Sequence, residues 1–336
     1  MEPRKRILVT GAAGFIGFHI SKFFKQKGDF CLGFDHFNHY YDPQLKRDRA
    51  AILEHLGVEV LEADLCERNL IRRLLEEHKI THVVHLAAQA GVRHSLTHPD
   101  EYVSSNLEGF VSLLEALRID PTIRLIFASS SSVYGLNKKT PFSVEDKTDA
   151  PANLYGATKK ANELIAHAYH HLYGMPITAL RFFTVYGPWG RPDMAYYRFA
   201  RSICDGVPIQ VYNHGAMKRD FTYIDDIIMG VAAALDLGAP FEIFNLGNHQ
   251  PVDLLYLIQL LEEALGKQAI KEMLPMQKGE VLETYADIEK SRQMLQFHPS
   301  TSIETGIARF IDWFTQYHGP HRQNEMPLPT RSTCSK

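Results

Sequence analysis

The chain has 336 residues, a length typical of one or two domains. Hydrophobic residues make up 45% and charged residues 22%, a balance that is typical of a soluble globular protein and excludes a disordered chain. With 36 basic and 39 acidic side chains the formal net charge is −3, so nucleic-acid binding through bulk positive charge is not expected. The 4 cysteines are far apart, which favours a reducing compartment over a disulfide framework or a cysteine-rich metal site.

The sequence carries no sign of a membrane segment or a metal site. No stretch approaches the roughly 20 apolar residues of a membrane-spanning helix, and the N-terminus lacks the apolar region of a signal peptide. A cytosolic protein with no membrane partner is therefore expected. His167, His170 and His171 share one predicted helix, but no carboxylate or cysteine stands at ligand spacing beside them. We accordingly predict no metal.

Short apolar runs alternate with helical patterns through the first half of the chain. Predicted strands cover residues 7–9, 30–34, 58–61, 81–86, 124–128 and 177–181. Predicted helices cover residues 16–27, 67–78, 100–118 and 155–173. This alternation predicts an α/β fold with right-handed crossovers and a doubly wound, mostly parallel sheet that is covered on both faces.

After Arg181 this rhythm breaks, and prolines and glycines punctuate shorter elements. One clear helix is predicted at 253–265, where apolar residues recur on one face. Asp253 is expected to be its N-cap and Gly266 to end it. The tail from residue 319 is polar and without periodicity, and we predict that residues 319–336 are disordered.

A glycine-rich loop marks a dinucleotide site at the start of the chain. The strand 7–10 runs directly into the loop Gly11–Gly17, which has glycines at its first, fourth and seventh positions and opens a helix. Such glycines permit a tight turn, close approach of a phosphate and close helix–strand packing, while the helix N-terminus offers free N–H groups to a pyrophosphate. Asp35 ends the second strand. Its carboxylate can accept hydrogen bonds from both ribose hydroxyls and would repel a 2′-phosphate, which favours NAD over NADP.

A second group of residues has the chemistry of an acid–base catalyst. Tyr155 and Lys159 are four residues apart and therefore share one face of the predicted helix. A nearby ammonium would lower the pKa of the phenol, so that it could take a proton from a sugar hydroxyl as hydride leaves for NAD⁺. The serines 129–132 directly follow the fifth strand, where a hydroxyl could hydrogen-bond the reacting oxygen.

Taken together, these motifs resemble the extended branch of the short-chain dehydrogenase/reductase family, which has a Rossmann-type fold. The spacing within 11–17, Asp64-Leu65 after the third strand and Leu86-Ala87-Ala88 after the fourth match family segments that surround the cofactor. The family pattern places the catalytic hydroxyl three residues before Val-Tyr-Gly, which selects Ser130. The resemblance implies NAD as cofactor, held by the following residues: Gly11, Gly14, Phe15, Ile16, Gly17, Asp35, Asn38, Asp64, Leu65, Leu86, Ala87, Ala88, Gln89, Asn106, Tyr155 and Lys159.

The extended branch contains epimerases, dehydratases and decarboxylases of nucleotide sugars. A 4,6-dehydratase needs an added acid and base, which the family carries as Asp-Glu just before Val-Tyr-Gly. Here Ser131 and Ser132 stand in those positions, and decarboxylases usually have Glu where this chain has Ser132. The remaining chemistry is oxidation at C4, rotation of the 4-keto sugar and return of hydride to the other face, which is 4-epimerisation.

The substrate is indicated by further resemblance. Segments 37–46, 90–95 and 181–188 are similar to segments of UDP-glucuronate 4-epimerases. In that subfamily the positions of Arg191 and Thr184 contact the uronate carboxylate. The substrate-binding residues that the resemblance implies are Arg93, Ser131, Ser132, Thr184, Arg191 and Arg219, the last of which is assigned to the diphosphate.

Two departures leave alternatives open. Gln277-Lys278-Gly279-Glu280-Val281 stands where the family has Gln-Pro-Gly-Asp-Val, and Trp189-Gly190 replaces more polar residues before Arg191. The alternatives are a 4-epimerase of UDP-glucose or UDP-N-acetylglucosamine, a UDP-glucuronate decarboxylase, and a catalytically silent NAD(H)-binding regulator. We expect an NAD-binding domain at 1–180, to which later segments return, and a mainly substrate-binding α/β region at 181–318. The resemblance also implies a homodimer through helices 100–118 and 155–173.

Overall fold

The computed structural model describes residues 4–276 and 281–319. The strands are β1 Arg6–Thr10, β2 Phe30–Asp35, β3 Glu59–Glu62, β4 His82–His85, β5 Arg124–Ser130, β6 Ile177–Phe182, β7 Thr184–Tyr186, β8 Ile209–Tyr212, β9 Lys218–Tyr223, β10 Phe241–Leu246, β11 Pro251–Asp253, β12 Lys271–Leu274 and β13 Glu283–Thr284. The helices are α1 Phe15–Gln26, α2 Gln44–His55, α3 Arg68–Glu77, α4 Pro99–Tyr102, α5 Gly109–Leu117, α6 Leu154–Tyr173, α7 Ala195–Asp205, α8 Ile224–Leu237, α9 Leu254–Leu265, α10 Glu289–Leu295 and α11 Ile303–His318.

Seven strands form the central sheet, in the order β10-β6-β5-β4-β1-β2-β3. Every neighbouring pair in this sheet is parallel. The predicted doubly wound α/β fold is therefore confirmed, and its strand order is that of a Rossmann fold. The order reverses between β1 and β4, and ligands of such sheets bind in the crevice beyond the carboxyl ends of the strands at this switch point.

The last strand of the sheet comes from the second half of the chain. β10 lies parallel to β6, so residues after 181 return to the main sheet. The other late strands form smaller sheets, one in which β9 pairs with β7, β11 and β13, and one of β8 with β12. These small sheets and α7, α9 and α11 form the region that faces the carboxyl ends of the central strands.

Two expected features are different in the structure. The predicted helix 100–118 is interrupted, because a π-helical segment at Val103–Glu108 separates α4 from α5. Asp253 is the N-cap of α9 as predicted, but its side chain makes no capping hydrogen bond and lies 3.7 Å from the Lys218 ammonium instead. Gly266 does end α9, in the left-handed conformation with φ 63°.

Helix α2 was not among the predicted elements. Its buried face carries Lys46 and Arg49 as well as Leu45 and Leu53, so its apolar periodicity is broken. Among residues 4–276 and 281–319, no helix is both long enough and apolar enough to cross a bilayer. The disorder predicted from residue 319 onward falls almost wholly outside the described residues.

Candidate active site

A cleft of ≈ 570 Å³ lies between the carboxyl ends of the central strands and the later region. Of the residues predicted to bind cofactor or substrate, all except Asn106 line this cleft, and so do the three predicted catalytic residues. The cleft is approached after β1, β4 and β5 by residues within 11–17, 86–93 and 128–135. Residues within 184–199 and 210–221 approach it from the opposite side. The motifs that are separated along the chain thus meet in one place.

The glycines of the loop 11–17 permit a turn whose backbone packs closely on the start of α1. Gly11 has φ +72°, and a Cβ on Gly17 would lie 2.0 Å from the Gly11 carbonyl oxygen. Beyond β2, the Asp35 carboxylate accepts hydrogen bonds from the backbone N–H groups of Ala13 (3.1 Å) and Phe37 (2.9 Å). This fixed carboxylate, beside a glycine-rich loop that lines the same cleft, fits a dinucleotide whose pyrophosphate approaches the start of α1.

Asn106 lies behind the cleft wall, in the π-helical segment. Its side-chain oxygen accepts from the Gln89 N–H at 2.8 Å, and its amide donates to the Gln89 carbonyl at 3.0 Å and to Thr158 Oγ1 at 3.0 Å. The resemblance implied that Asn106 binds the cofactor, but the structure does not bring Asn106 to the cleft. Asn106 instead holds the backbone of Gln89, a residue that lines the cleft.

The predicted catalytic residues converge at the end of β5 and the start of α6. Asn153 caps α6 by accepting from the Gly156 N–H at 2.9 Å, which fixes the turn that carries Tyr155. The Ser130 hydroxyl oxygen accepts from the Ser132 N–H at 3.1 Å, so its own proton is left to donate into the cleft. Lys159 is buried and donates to the Ala128 carbonyl at 2.8 Å.

The protonation states of these groups follow from burial. Desolvation raises the pKa of Tyr155, whereas its hydrogen bond with Ser130 and the charge of Arg191 act in the opposite direction. Desolvation also lowers the pKa of Lys159 to about 8. The expected lowering of the Tyr155 pKa by Lys159 is thus not found: burial dominates, and Arg191 is the cation that opposes it.

Arg191 is held by a carboxylate that sequence reasoning passed over. Asp193 accepts from Arg191 Nε at 3.0 Å and from Nη2 at 2.5 Å, and the Tyr40 hydroxyl donates to Asp193 at 3.1 Å. Burial raises the pKa of Asp193, but Arg191 outweighs this effect and keeps the pKa below its ordinary value. Tyr40 lies within the segment 37–46 that resembles the epimerases, and Asp193 follows Arg191 by two residues, but the sequence analysis assigned neither of them a role.

The two other predicted substrate arginines lie farther along the cleft. The Arg93 guanidinium is 4.7 Å from the ring centre of Tyr212, which contributes to the opposite wall. Arg219, on β9, donates to the carbonyls of Lys218 (2.8 Å) and Leu282 (3.2 Å). The sequence carried no sign of Tyr212. The departure from the family pattern at 277–280 lies outside the described residues.

One group of possible metal ligands is present within the described residues, near the cleft entrance. His94, His98 and Glu101 have ligand atoms within 4.8 Å of one another. The two imidazole rings are stacked with centroids 4.0 Å apart, and His94 Nε2 is 2.9 Å from the Glu101 carboxylate. Stacked rings direct their nitrogen lone pairs in parallel, which is unsuited to binding a single ion. The expectation of no metal stays a prediction.

The comparisons with known proteins agree with this geometry. Residues 7–247 match the model of the NAD dependent epimerase/dehydratase family. UDP-glucuronate 4-epimerase 4 of Arabidopsis thaliana is 49% identical over 330 residues, covering 93% of this chain and 76% of that protein. The structure of UDP-glucuronic acid 4-epimerase from Bacillus cereus, in complex with UDP-glucuronic acid and NAD, is similar with a TM-score of 0.87 and 37% identity, covering 93% of this chain and 100% of that one.

A more distant likeness is to UDP-glucose 4-epimerase from Thermotoga maritima with UDP-glucose, with a TM-score of 0.81 and 27% identity over 93% of this chain and 99% of that one. The family match spans more than half of the chain, and its motifs meet in one cleft. The chain therefore belongs to the NAD dependent epimerase/dehydratase family.

Proposed function

We propose that the chain is an NAD-dependent 4-epimerase that interconverts UDP-glucuronate and UDP-galacturonate. The observation that carries the choice of sugar is the position of Arg191: it lies in the same cleft as Tyr155, and its charge opposes the rise that burial causes in the pKa of that phenol. In a uronate the C6 carboxylate is separated from the reacting C4 by one ring carbon. A cation beside the C4 base therefore suits a substrate that bears a negative charge at C6.

The chain's own groups supply the proton chemistry. Tyr155 takes the proton from the C4 hydroxyl and later returns it, and Ser130 donates a hydrogen bond to the same oxygen. The hydrogen bond from Ser130 and the charge of Arg191 oppose the effect of burial and favour the phenolate form of Tyr155. The chemistry that NAD supplies when bound is reversible acceptance of the C4 hydride. The residues that fit its site are the glycine loop 11–17 and Asp35.

Arg191 and Thr184 are proposed to hold the uronate carboxylate. Because Asp193 occupies the Nε–Nη2 edge of the guanidinium, a second carboxylate would approach along the Nη1–Nη2 edge. Such a clamp matters beyond affinity, since a C6 carboxylate beside a C4 ketone is a β-keto acid and loses CO₂ easily. Holding the carboxylate charged disfavours that loss.

The remaining proposed roles concern the nucleotide, the assembly and the compartment. We assign Arg219 to the diphosphate, and Arg93, Ser131 and Ser132 to substrate contacts along the cleft. The division into an NAD-binding part at 1–180 and a mainly substrate-binding part at 181–318 is supported by the two walls of the cleft. A homodimer through the helices near 100–118 and 155–173 is also proposed, as is a cytosolic location, which the free cysteines fit.

Incubation of the purified protein with UDP-glucuronate tests the function directly. We expect a mixture of UDP-glucuronate and UDP-galacturonate at equilibrium, resolved by chromatography, with little UDP-xylose. Arg191→Ala should lower kcat/KM for UDP-glucuronate by about 10–100-fold, which is the worth of a charge-assisted hydrogen bond. Arg201→Ala, an exposed arginine on α7, is the matched control and should leave kcat/KM unchanged.

One observation favours a second candidate, a 4-epimerase of UDP-glucose or UDP-N-acetylglucosamine. Asp193 already pairs with Arg191, so a neutral sugar would not leave the guanidinium without a counter-charge. In that case Arg191→Ala would barely change turnover of the neutral sugar, and UDP-glucuronate would not be converted. UDP-xylose as the main product would instead identify a decarboxylase, and a complete lack of turnover would favour an NAD(H)-binding regulator.

A further inference from the structure

Arg49, on α2, is fully buried, and within residues 4–276 and 281–319 its guanidinium donates hydrogen bonds only to neutral oxygens. It donates to the Ala13 carbonyl at 3.0 Å, the Tyr41 hydroxyl at 2.9 Å, the Trp189 carbonyl at 2.6 Å and the Gly190 carbonyl at 3.1 Å. Burying a cation without a carboxylate is costly, so these four bonds must compensate for its lost hydration. These bonds also join distant parts of the chain, since Trp189 lies 140 residues after Arg49.

One end of this link is the cofactor loop. Ala13 lies between the first and second glycines of the loop 11–17, and its N–H donates to Asp35 at 3.1 Å. Its carbonyl accepts from Arg49 Nη1. The peptide groups on both sides of Ala13 are therefore fixed, one by the carboxylate proposed to bind ribose and the other by Arg49.

The other end is the backbone directly before Arg191. Arg49 binds the carbonyls of Trp189 and Gly190, and His19 on α1 binds the carbonyl before them, that of Pro188, at 2.9 Å. Burial lowers the pKa of His19 to about 4, so this ring is neutral and its Nε2 carries the donated proton. Three successive carbonyls are thus held by side chains from α1 and α2.

The backbone of residues 188–190 is held in one conformation by its surroundings. Trp189 has φ 60°, a left-handed conformation that a bulky residue rarely adopts without support. Its ring packs against Phe18 and Trp313, with centroids 5.6 and 5.3 Å away. A Cβ on Gly190 would lie 2.0 Å from the Tyr196 hydroxyl, so the glycine permits this close passage. The residue that follows is Arg191.

We propose that Arg49 is a positioning residue that fixes Arg191 for the substrate carboxylate and ties its placement to the cofactor loop. The inference rests on the proposed function, because it assigns Arg191 to the uronate. The fork of Arg49 spans both the Ala13 carbonyl and the Trp189–Gly190 carbonyls, whereas a lysine ammonium is a single point that cannot reach both groups.

The test compares Arg49→Lys and Arg49→Met with Arg47→Met, an exposed arginine on the same helix that serves as control. For each variant we would measure bound NAD, KM and kcat for UDP-glucuronate, and the inhibition constant of UDP, which lacks the sugar carboxylate. A displaced Arg191 should raise KM for UDP-glucuronate about tenfold in Arg49→Lys, the effect of losing one charge-assisted contact. With NAD supplied in excess, the UDP inhibition constant and the Arg47→Met values should stay at wild-type levels. Without added NAD, bound NAD should fall only in the Arg49 variants, because they lose the contact with the Ala13 carbonyl.

A double-mutant cycle decides whether Arg49 acts through Arg191. If it does, adding Arg49→Lys to Arg191→Ala changes KM little further, because coupled residues are not additive. Additive effects, or a UDP inhibition constant that rises in parallel with KM, would overturn the proposal. If wild type does not turn over UDP-glucuronate, the function has failed. The same cycle can then be measured by calorimetry, as the affinities for UDP-glucuronate and for UDP. Equal losses of affinity for the two ligands in Arg49→Lys would overturn the positioning role independently of the proposed function.

Discussion

At the scale of single residues, the site depends on opposing effects on one phenol. Burial raises the pKa of Tyr155, and the hydrogen bond from Ser130 and the charge of Arg191 lower it. A buried neutral phenol is a poor base, so the cations and donors around it must favour its ionised form during turnover. The same groups that select the substrate therefore also tune the base.

Replacing Tyr155 by phenylalanine should remove this base and leave the fold intact. We expect kcat to fall by about 10²–10⁴-fold, the usual worth of general acid–base catalysis. Bound NAD should be retained, since its glycine loop is untouched. Tyr169→Phe, on the same helix, is the control because it removes only a hydroxyl that donates to Glu115. A Tyr155→Phe protein with wild-type turnover would show that another group is the base.

At the scale of helices and strands, the sequence predicted mainly those elements whose buried positions carry apolar residues. Six of the seven strands of the central sheet were located because they contain short apolar runs, as at Leu8 and Val83, whereas β10 was not predicted. Helix α2 was missed because Lys46 and Arg49 occupy its buried face, where periodicity demands apolar residues. The π-helical segment around Asn106 was equally hidden, because it is set by contacts with Gln89 and not by local pattern.

Helix α6 should form part of the proposed dimer interface. Leu164 and Leu172 lie on it with 60% and 66% of their surface exposed, and Val103 of the neighbouring π-helical segment is 41% exposed. Apolar side chains grouped on adjacent helices favour an interface. Leu164→Glu combined with Leu172→Glu should convert a dimer to a monomer in light scattering or sedimentation. Met229→Glu, at a similarly exposed position on α8, should leave the mass unchanged. A monomeric wild type would contradict the proposal.

At the scale of the whole molecule, the predicted site residues were brought together by topology. The glycine loop, Asp35 and Ser130 follow parallel strands, so their meeting at one sheet edge could be predicted. The hydrogen bond of Tyr40 to Asp193 could not, because these residues are far apart in the chain and meet only when the later region folds over the sheet. The same holds for Arg49, whose partners are carbonyl groups that carry no sequence signal.

The whole molecule should lose stability on mild acidification because it buries a neutral histidine. His85 is 4% exposed and hydrogen-bonds Thr10 at 2.7 Å, and burial lowers its pKa from 6.5 to about 3. Between pH 6.5 and 3 the unfolded chain therefore binds a proton that the folded chain does not, so stability is retained above this window and falls as the pH drops through it. From pH 7 to pH 5 the protonation of this one residue should lower the free energy of unfolding by about 2 kcal/mol.

Replacing His85 by asparagine tests this prediction. His85→Asn can still bond Thr10 but cannot titrate, so its denaturant midpoint should fall less over this range. The denaturant midpoint of the exposed control, His55→Asn, should fall as that of wild type does. Identical pH dependence in all three proteins would contradict the assignment of a neutral, buried His85.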